Sequence, residues 1–298
     1  MLRAAQPNDA EAVQAVWEAS LAHDDPGSWP RGGWSVDAWA THTQVLVAHN
    51  TVIGVAAVRA ELDADSTVPM RVALAVDARK PKHARVLVDA ALHIAQSVPG
   101  AARTRLWMPS RAEWATAAAR GSGFVPVRRV AHMLLAAEAP TPEAAPVPQL
   151  SIRTIRAGEE ADVLEALNHA WATTWAFVPI TRDMLLSDLE GQREGMLLGF
   201  MDSHPRIVGT CHAVYEPNEQ NPDGQPRAWI SNLTVAPEAR RKGIARAMLV
   251  AGISHLRGRG AASVTLGVDA GDPAPLRLYE SAGFTAISTV EAWDRAVS

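Results

Sequence analysis

The chain repeats itself, and this limits its fold more than any other feature. Each half opens on a short apolar–arginine stretch, Leu2-Arg3 and Ile152-Arg153, then an acidic, amphipathic helix start, NDAEAVQAVWEAS and GEEADVLEALNHAW. Each continues with an apolar run broken by glycine, TVIGVAAVRAE (51–61) and RIVGTCHAVYE (206–216). A strand then leads into a cationic stretch, RVALAV (71–76) and AWISNLTV (228–235), and a helix separates it from another strand, RTRLWM (103–108) and SVTLGV (263–268). Each half closes on helix, glycine, phenylalanine and strand, AAARGSGFVPV and RLYESAGFTAI. Gly123-Phe124 and Gly283-Phe284 stand 160 residues apart, as do Leu106 and Leu266. The pattern predicts a β-α-α-β-β-β-α-β-α-β unit of about 140 residues, twice. Short connections make the middle strands antiparallel, and the strand–helix–strand that follows is long enough for a right-handed parallel crossover. The expected class is α/β (α+β mixed sheet), with two tandem domains, each a mostly antiparallel twisted sheet flanked by helices.

Between the halves runs AAEAPTPEAAPVPQ (136–149), with four prolines and little that could enter a core. Proline removes donors and disfavours helix at the residue before it, so this reads as a semi-rigid linker. The expected division is 1–136, a linker 137–149, and 150–298. Apolar residues make up 48% and charged residues 20%, enough for a buried core. The formal net charge of −4 argues against a general nucleic-acid binder. The lone cysteine, Cys211, excludes a disulfide framework and a cysteine-type zinc site, and reads as a small buried strand residue. No membrane span or secretory leader is read, and the expectation is a cytoplasmic protein.

The stretch VAPEARRKGIARAML (235–249) carries the chemistry. A strand ends at Val235, Ala236-Pro237 turns the chain, and a helix is expected to start near Gly243. The first N–H groups of a helix have no internal partner, and with the helix dipole they form an anion site. Gly243 lets the backbone approach the anion without a β-carbon between them. Arg240, Arg241 and Lys242 supply charge, and a diphosphate fits. Neither GxxxxGK[ST] nor GxGxxG occurs. The residues spell R-x-x-G-x-[GA] instead, Arg240-Arg241-Lys242-Gly243-Ile244-Ala245, after a strand ending in V-x-P.

NLTVAPEARRKGIARAML, VTLGVDAGD and RLYESAGF together resemble the GNAT superfamily of acyl-CoA-dependent N-acetyltransferases, strongly over about 150–290 and weakly over 1–135. The resemblance implies two tandem GNAT-like domains. It puts the pyrophosphate of acetyl-CoA, the co-substrate, on the N–H groups of Arg241 to Arg246. It pairs the pantetheine arm with the backbone edge of Leu233, Thr234 and Val235, where two strands splay apart. A backbone N–H near Leu233 or Thr234 would polarise the acetyl carbonyl. Tyr279 would protonate the leaving thiolate. Gly283 reads as a left-handed helix cap and Phe284 as core. No metal is implied.

Some relatives carry a glutamate six residues before the valine of V-x-P; here that residue is Trp229. Glu216 and His212 on the preceding strand are alternative bases, as is Asp269, and strand-edge solvation explains each equally well. Asp272 stands where many relatives have asparagine, and is expected to cap the following helix. In the first half the turn Val76-Asp77-Ala78-Arg79-Lys80-Pro81-Lys82-His83-Ala84 is two residues shorter and has no glycine. Pro81 removes a donor, and Ala119 matches Tyr279. The first half is therefore expected to be a degenerate domain without catalysis.

Aromatic residues cluster where this family forms its acceptor pocket: Trp171, Trp175 and Phe177 in the second half, with Trp229, and Trp29, Trp34 and Trp39 in the first. They could wall a pocket, or Trp171 and Trp175 could simply pack at i, i+4 on a helix. The polar loop NEQNPDGQPR (218–227) is expected beside that pocket and mobile. The leading expectation is an enzyme acetylating a primary amine of a small molecule or peptide by direct attack in a ternary complex. The partners are then that acceptor, with no nucleic acid and no membrane, and the chain acts as a monomer or homodimer. The alternative is a non-catalytic acyl-CoA-binding or sensing protein.

Overall fold

The computed structural model describes residues 1–25, 42–59, 62, 65–175, 177–202 and 204–297. The second helix expected in the first half, and Trp29, Trp34 and Trp39, lie outside the described residues. The chain divides into two compact units. One comprises Met1–His132, Asp269–Gly271 and Ile287–Ser298, the other Met133–Val268 and Asp272–Ala286. The end of the chain thus belongs to the first unit, which no feature of the repeat announced.

In the first unit, β1 (Leu2–Ala4) leads to α1 (Ala10–Asp24). A meander follows, β2 (Thr43–Ala48), β3 (Thr51–Val58) and β4 (Thr67–Leu74), antiparallel throughout. Helix α2 (Pro81–Gln96) crosses to β5 (Arg103–Pro109), which runs parallel to β4. Then come α3 (Glu113–Gly121) and β6 (Val125–Leu135). Strand β4 starts and ends earlier than its apolar run suggested, because Ala75 already enters a 3-10 turn over Val76–Ala78. Helix α2 buries Leu87, Val88, Ala91, Leu92 and Ala95 at three- and four-residue spacing, the stripe that packs it on the sheet. Burying each leucine there stabilises by roughly 1.5–3 kcal/mol.

The second unit repeats the plan. It contains β7 (Leu150–Thr154), α4 (Glu160–Trp171), α5 (Arg182–Leu189), β8 (Met196–Met201), β9 (His204–Gln220), β10 (Pro226–Val235), α6 (Ile244–Gly258), β11 (Val264–Asp269) and α7 (Pro273–Ser281). Its strand order is β11-β10-β9-β8-β7, with only the β10–β11 pair parallel. The last strand, β12 (Thr285–Ala296), pairs antiparallel with β5 from Val290 onward, within the first unit. There Arg105, only 2% exposed, holds Asp294 with two bonds of 2.8 Å. Trp293 joins the same core.

The duplication extends to side-chain detail. Arg3 grips Asp9 through 2.6 and 2.8 Å bonds, and Arg153 grips Glu159 through 2.8 and 2.6 Å bonds. In both, the carboxylate also takes a backbone N–H at the helix entry, from Gln6 or Arg156. Bonding to the charged form holds both carboxyls well down, at about 2. Helices α3 and α7 end identically. Gly123 and Gly283 take φ of +81° and +90°, and the phenylalanine N–H after each reaches back to the carbonyl of Ala119 or Tyr279. No described helix is long and apolar enough to cross a membrane.

Candidate active site

Strands β10 and β11 pair only at Trp229–Thr265 and Ile230–Leu266. Beyond Ile230 they part, while β10 stays paired with β9 to Val235. One face of β10 therefore carries an open backbone edge from Ser231 to Val235, the shape an added strand requires. Ser231 is itself a β-bulge, skipped between the pairs Ile230–Ala213 and Asn232–His212. A bulge re-aims the chain and leaves one residue without a ladder partner.

The open edge runs into the cationic turn. Pro237–Ala239 forms a 3-10 turn, and helix α6 begins at Ile244 behind Gly243. Arg241 and Gly243 both lie in the left-handed region, at φ +63° and +82°. For arginine this costs on the order of 1–2 kcal/mol. Alternating left-handed residues turn successive N–H groups inward, which makes a nest for an anion. The N–H groups of Ile244, Ala245 and Arg246 precede the first intrahelical bond, from Ala247 to the carbonyl of Gly243. These N–H groups are without an intrahelical partner, as an anion site requires.

The arginines divide by role. Arg241 and Lys242 are exposed at the turn. Arg240 instead donates to the carbonyls of Val235 at 3.3 Å and Ala170 at 3.1 Å, so it ties the turn to the end of α4. Arg246 donates to the carbonyl of Glu143 at 2.7 Å and to Ser281. Its backbone faces the nest, but its guanidinium is engaged with the linker and α7. The sequence offered no sign of this division.

Tyr279 lies on α7, the helix after the second limb of the fork. It is 7% exposed and packs edge-on against Phe284 at 6.0 Å. Burial drives its pKa up, with the Cys211 thiol adding to the effect, so the phenol stays protonated. Asp272 caps α7, its Oδ1 accepting from the N–H of Ala274 at 2.9 Å. Cys211 is fully buried with a pKa raised to about 12 by burial, which removes it as a nucleophile.

The candidate bases separate clearly. Glu216 forms an ion pair with Arg227 at 3.0 Å, opposite it in the β9–β10 ladder. Six residues separate Arg227 from Leu233, about 20 Å along a strand. Asp269 is held by Arg128 at 2.5 Å. His212 is different. It is 1% exposed, stands opposite Asn232 beside the bulge, and its Nδ1 lies 3.1 Å from Ser231 Oγ. On the same face Thr210 and Thr234 share a 2.7 Å hydrogen bond.

Trp171, Trp175, Phe177 and Trp229 are half-buried. Trp171 packs on the core formed by α4, α5 and β8. Helix α4 ends there, so Trp175 and Phe177 sit in the following connection and not at i, i+4 on a helix. Asn168 pins that connection through two bonds to the Ile180 backbone. The Trp229 ring lies under the Arg227 guanidinium at 5.5 Å. The loop expected to be mobile is a short turn. Its Asn221 is 3% exposed and bonded to Ser263 and Thr265 of the β11 region. Among the described residues no group of three or more His, Cys, Asp or Glu is placed to hold a metal ion.

Residues 161–284, which contain this fork and turn, match the model of the acetyltransferase (GNAT) family. The second half thus carries an acetyltransferase (GNAT) family domain over residues 161–284. It is 28% identical to a mycothiol acetyltransferase of Cellulomonas flavigena over 95% of this chain and 85% of that protein. The mycothiol acetyltransferase of Acidothermus cellulolyticus is 33% identical, over 61% of this chain and 59% of the relative. Against several of these curated relatives the match thus spans less than two thirds of their length. Among solved structures, a GCN5-related N-acetyltransferase from Sphaerobacter thermophilus matches all of this chain and 95% of its own, with a TM-score of 0.78 at 22% identity. A tandem GNAT protein from the clavulanic acid biosynthesis pathway matches all of this chain and 99% of its own at TM-score 0.70 and 14% identity. At those identities the likeness concerns the fold, and the fold is tandem.

Proposed function

We propose that the second half transfers acetyl from acetyl-CoA to a primary amine of a small molecule or peptide, by direct attack within a ternary complex. The observation that carries this reading is the β10–β11 fork opening onto the nest at Arg241–Arg246. The diphosphate is held by those backbone N–H groups with Arg241 and Lys242 as counter-charges. The pantetheine arm adds to the edge of Leu233, Thr234 and Val235. Acetyl-CoA supplies an activated thioester, and a backbone N–H at Leu233 or Thr234 polarises its carbonyl. Tyr279, a phenol protonated at neutral pH, gives its proton to the departing sulfur. Trp171, Trp175, Phe177 and Trp229 shape the acceptor side. The first half lacks the nest and the tyrosine and does not catalyse. The chain works in the cytoplasm, without a metal.

The relatives' name, mycothiol acetyltransferase, favours one acceptor over other amines, because the likeness to the Cellulomonas flavigena protein covers both halves. A second reading is therefore a mycothiol-type acceptor, a cysteinyl amine on a sugar-inositol. Trp229, at the position where such an enzyme has its carboxylate, sets this chain apart.

The test is calorimetric titration of acetyl-CoA into wild type and Gly243→Glu, followed by an amine panel that includes the cysteinyl sugar-inositol. One site per chain, lost in the variant, supports the reading. Binding that survives Gly243→Glu, or an amine panel without turnover, overturns it.

A further inference from the structure

With Glu216 and Asp269 engaged in ion pairs and tryptophan at position 229, the second unit needs another proton acceptor. Three observations converge on one pair. Ser231 is the first residue past the point where β10 and β11 part. It is the bulged residue and is half-buried. Its Oγ lies 3.1 Å from His212 Nδ1, and Asn232 Nδ2 approaches the same oxygen at 3.5 Å.

We infer that Ser231 and His212 form a two-residue proton relay, in which Ser231 meets the acceptor amine and the buried His212 takes the proton through it. The inference rests on the acetyl-transfer reading above. As the amine nitrogen bonds to the acetyl carbon and the carbon–sulfur bond breaks, an N–H proton passes to Ser231 Oγ. The serine proton moves to His212 Nδ1, and Tyr279 supplies the proton taken by sulfur. Solvent then returns a proton to Tyr279 and removes one from His212. The products are the amide and free CoA thiol, with no net change in the enzyme.

The surroundings suit this role. Burial lowers the pKa of His212, so the ring is neutral and able to accept near pH 7. Two groups favour the cation once it forms, the backbone of Gln192 and the carboxylate of Asp188 on α5. They act from longer range, since Nε2 is buried without a well-formed hydrogen bond. The strands on either side bring no further charge, with Met196 opposite on β8 and Asn232 opposite on β10. A relay requires the proton of the resting ring on Nε2, leaving Nδ1 to accept from serine.

Imidazole 15N NMR on the full chain reads the tautomer without any turnover. Protonation at Nε2 supports the relay, and protonation at Nδ1, donating to Ser231, overturns it. Acetyl-CoA hydrolysis, with acetyl-CoA alone as probe, then reads the kinetics. Ser231→Ala and His212→Gln are expected to lose about a hundredfold in kcat, with acetyl-CoA affinity unchanged. Ser231→Thr keeps the hydroxyl and is expected to recover most of it. The acidic limb of the wild-type pH profile is expected to vanish in His212→Gln. Hydrolysis within threefold of wild type in Ser231→Ala, or a limb that persists in His212→Gln, overturns the relay. Wild type that fails to bind acetyl-CoA would instead bring down the acetyl-transfer reading, whichever tautomer the ring shows.

Discussion

The turn after β4 and the turn after β10 begin alike and end differently. Each leaves its strand through a 3-10 turn, Val76–Ala78 and Pro237–Ala239, and each then presents an arginine, Arg79 and Arg240. Both arginines reach back to the end of the unit's first helix. Arg79 grips Asp24 through 2.7 and 2.8 Å bonds and approaches Ser20, while Arg240 bonds the carbonyl of Ala170. In the second turn Arg241, Lys242 and Gly243 then separate the arginine from the helix, whereas in the first only Lys80 does. The two missing residues remove the left-handed segment, and Pro81 occupies the start of the helix. Both units also have a fork, since β4 and β5 pair only from Thr67 to Met70. The strut is structural and shared, and on the proposed reading the binding function resides in the three residues after it.

The sharpest break of this contrast is to make the second turn like the first. Deleting Arg241 and Lys242 removes the left-handed pair, and acetyl-CoA affinity is expected to fall at least a hundredfold by calorimetry, with the fold retained by circular dichroism. Unchanged affinity would mean the nest is not the site. Tyr279→Phe comes next. It keeps the ring packing against Phe284 and removes only the proton, so kcat is expected to fall about a hundredfold with acetyl-CoA affinity unchanged.

The struts give the third comparison. Arg79→Ala leaves the 5%-exposed Asp24 without its main partner and is expected to cost about 3–5 kcal/mol in denaturant unfolding. Arg240→Ala loses part-buried bonds to two carbonyls without stranding a charge and is expected to cost about 1 kcal/mol. Equal costs would deny the asymmetry. Asp272→Ala removes a helix cap at a similar expense of about 1 kcal/mol, read in the same melts.

The smallest effect is a pH effect common to both units. Asp9 and Glu159 have pKa values depressed to about 2 by their arginines and by a backbone N–H. A depressed carboxyl stabilises the fold fully above its unfolded pKa and loses that contribution as pH falls through the folded value. The window is therefore from about pH 4.5 down to about 2. Both carboxylates are still partly open to solvent, which screens the pairs, so the effect is modest. Arg3→Met with Arg153→Met is expected to shift acid unfolding upward in pH, and an unmoved acid transition would show the pairs contribute nothing.

Much of this was legible in the residues. The duplication, the element order, the parallel crossovers, the helix start at Gly243 and the glycine caps before Phe124 and Phe284 follow from local chemistry. Gly243 and Gly283 are needed where the backbone turns left-handed, and side-chain periodicity marks which face of a helix is buried. The candidate bases were not legible in this way. Glu216, His212 and Asp269 look equivalent as residue types, and only their partners separate them: Arg227, Ser231 and Arg128. Ser231 carries no sequence signal, because a bulge is a property of pairing between two strands and not of one.

The sequence by itself determined two copies of one unit, one of them with the anion turn and the tyrosine, because those features depend on neighbours within a few residues. Tertiary structure decided three things: that the last strand completes the first unit's sheet, that Arg240 and Arg246 brace the turn, and that Ser231 stands at the fork beside a buried imidazole. Each depends on a contact between segments far apart in the chain, as Arg105 with Asp294 and Arg246 with Glu143 illustrate. Local propensity cannot specify such contacts. The packed sheet does, by bringing the groups within hydrogen-bond distance.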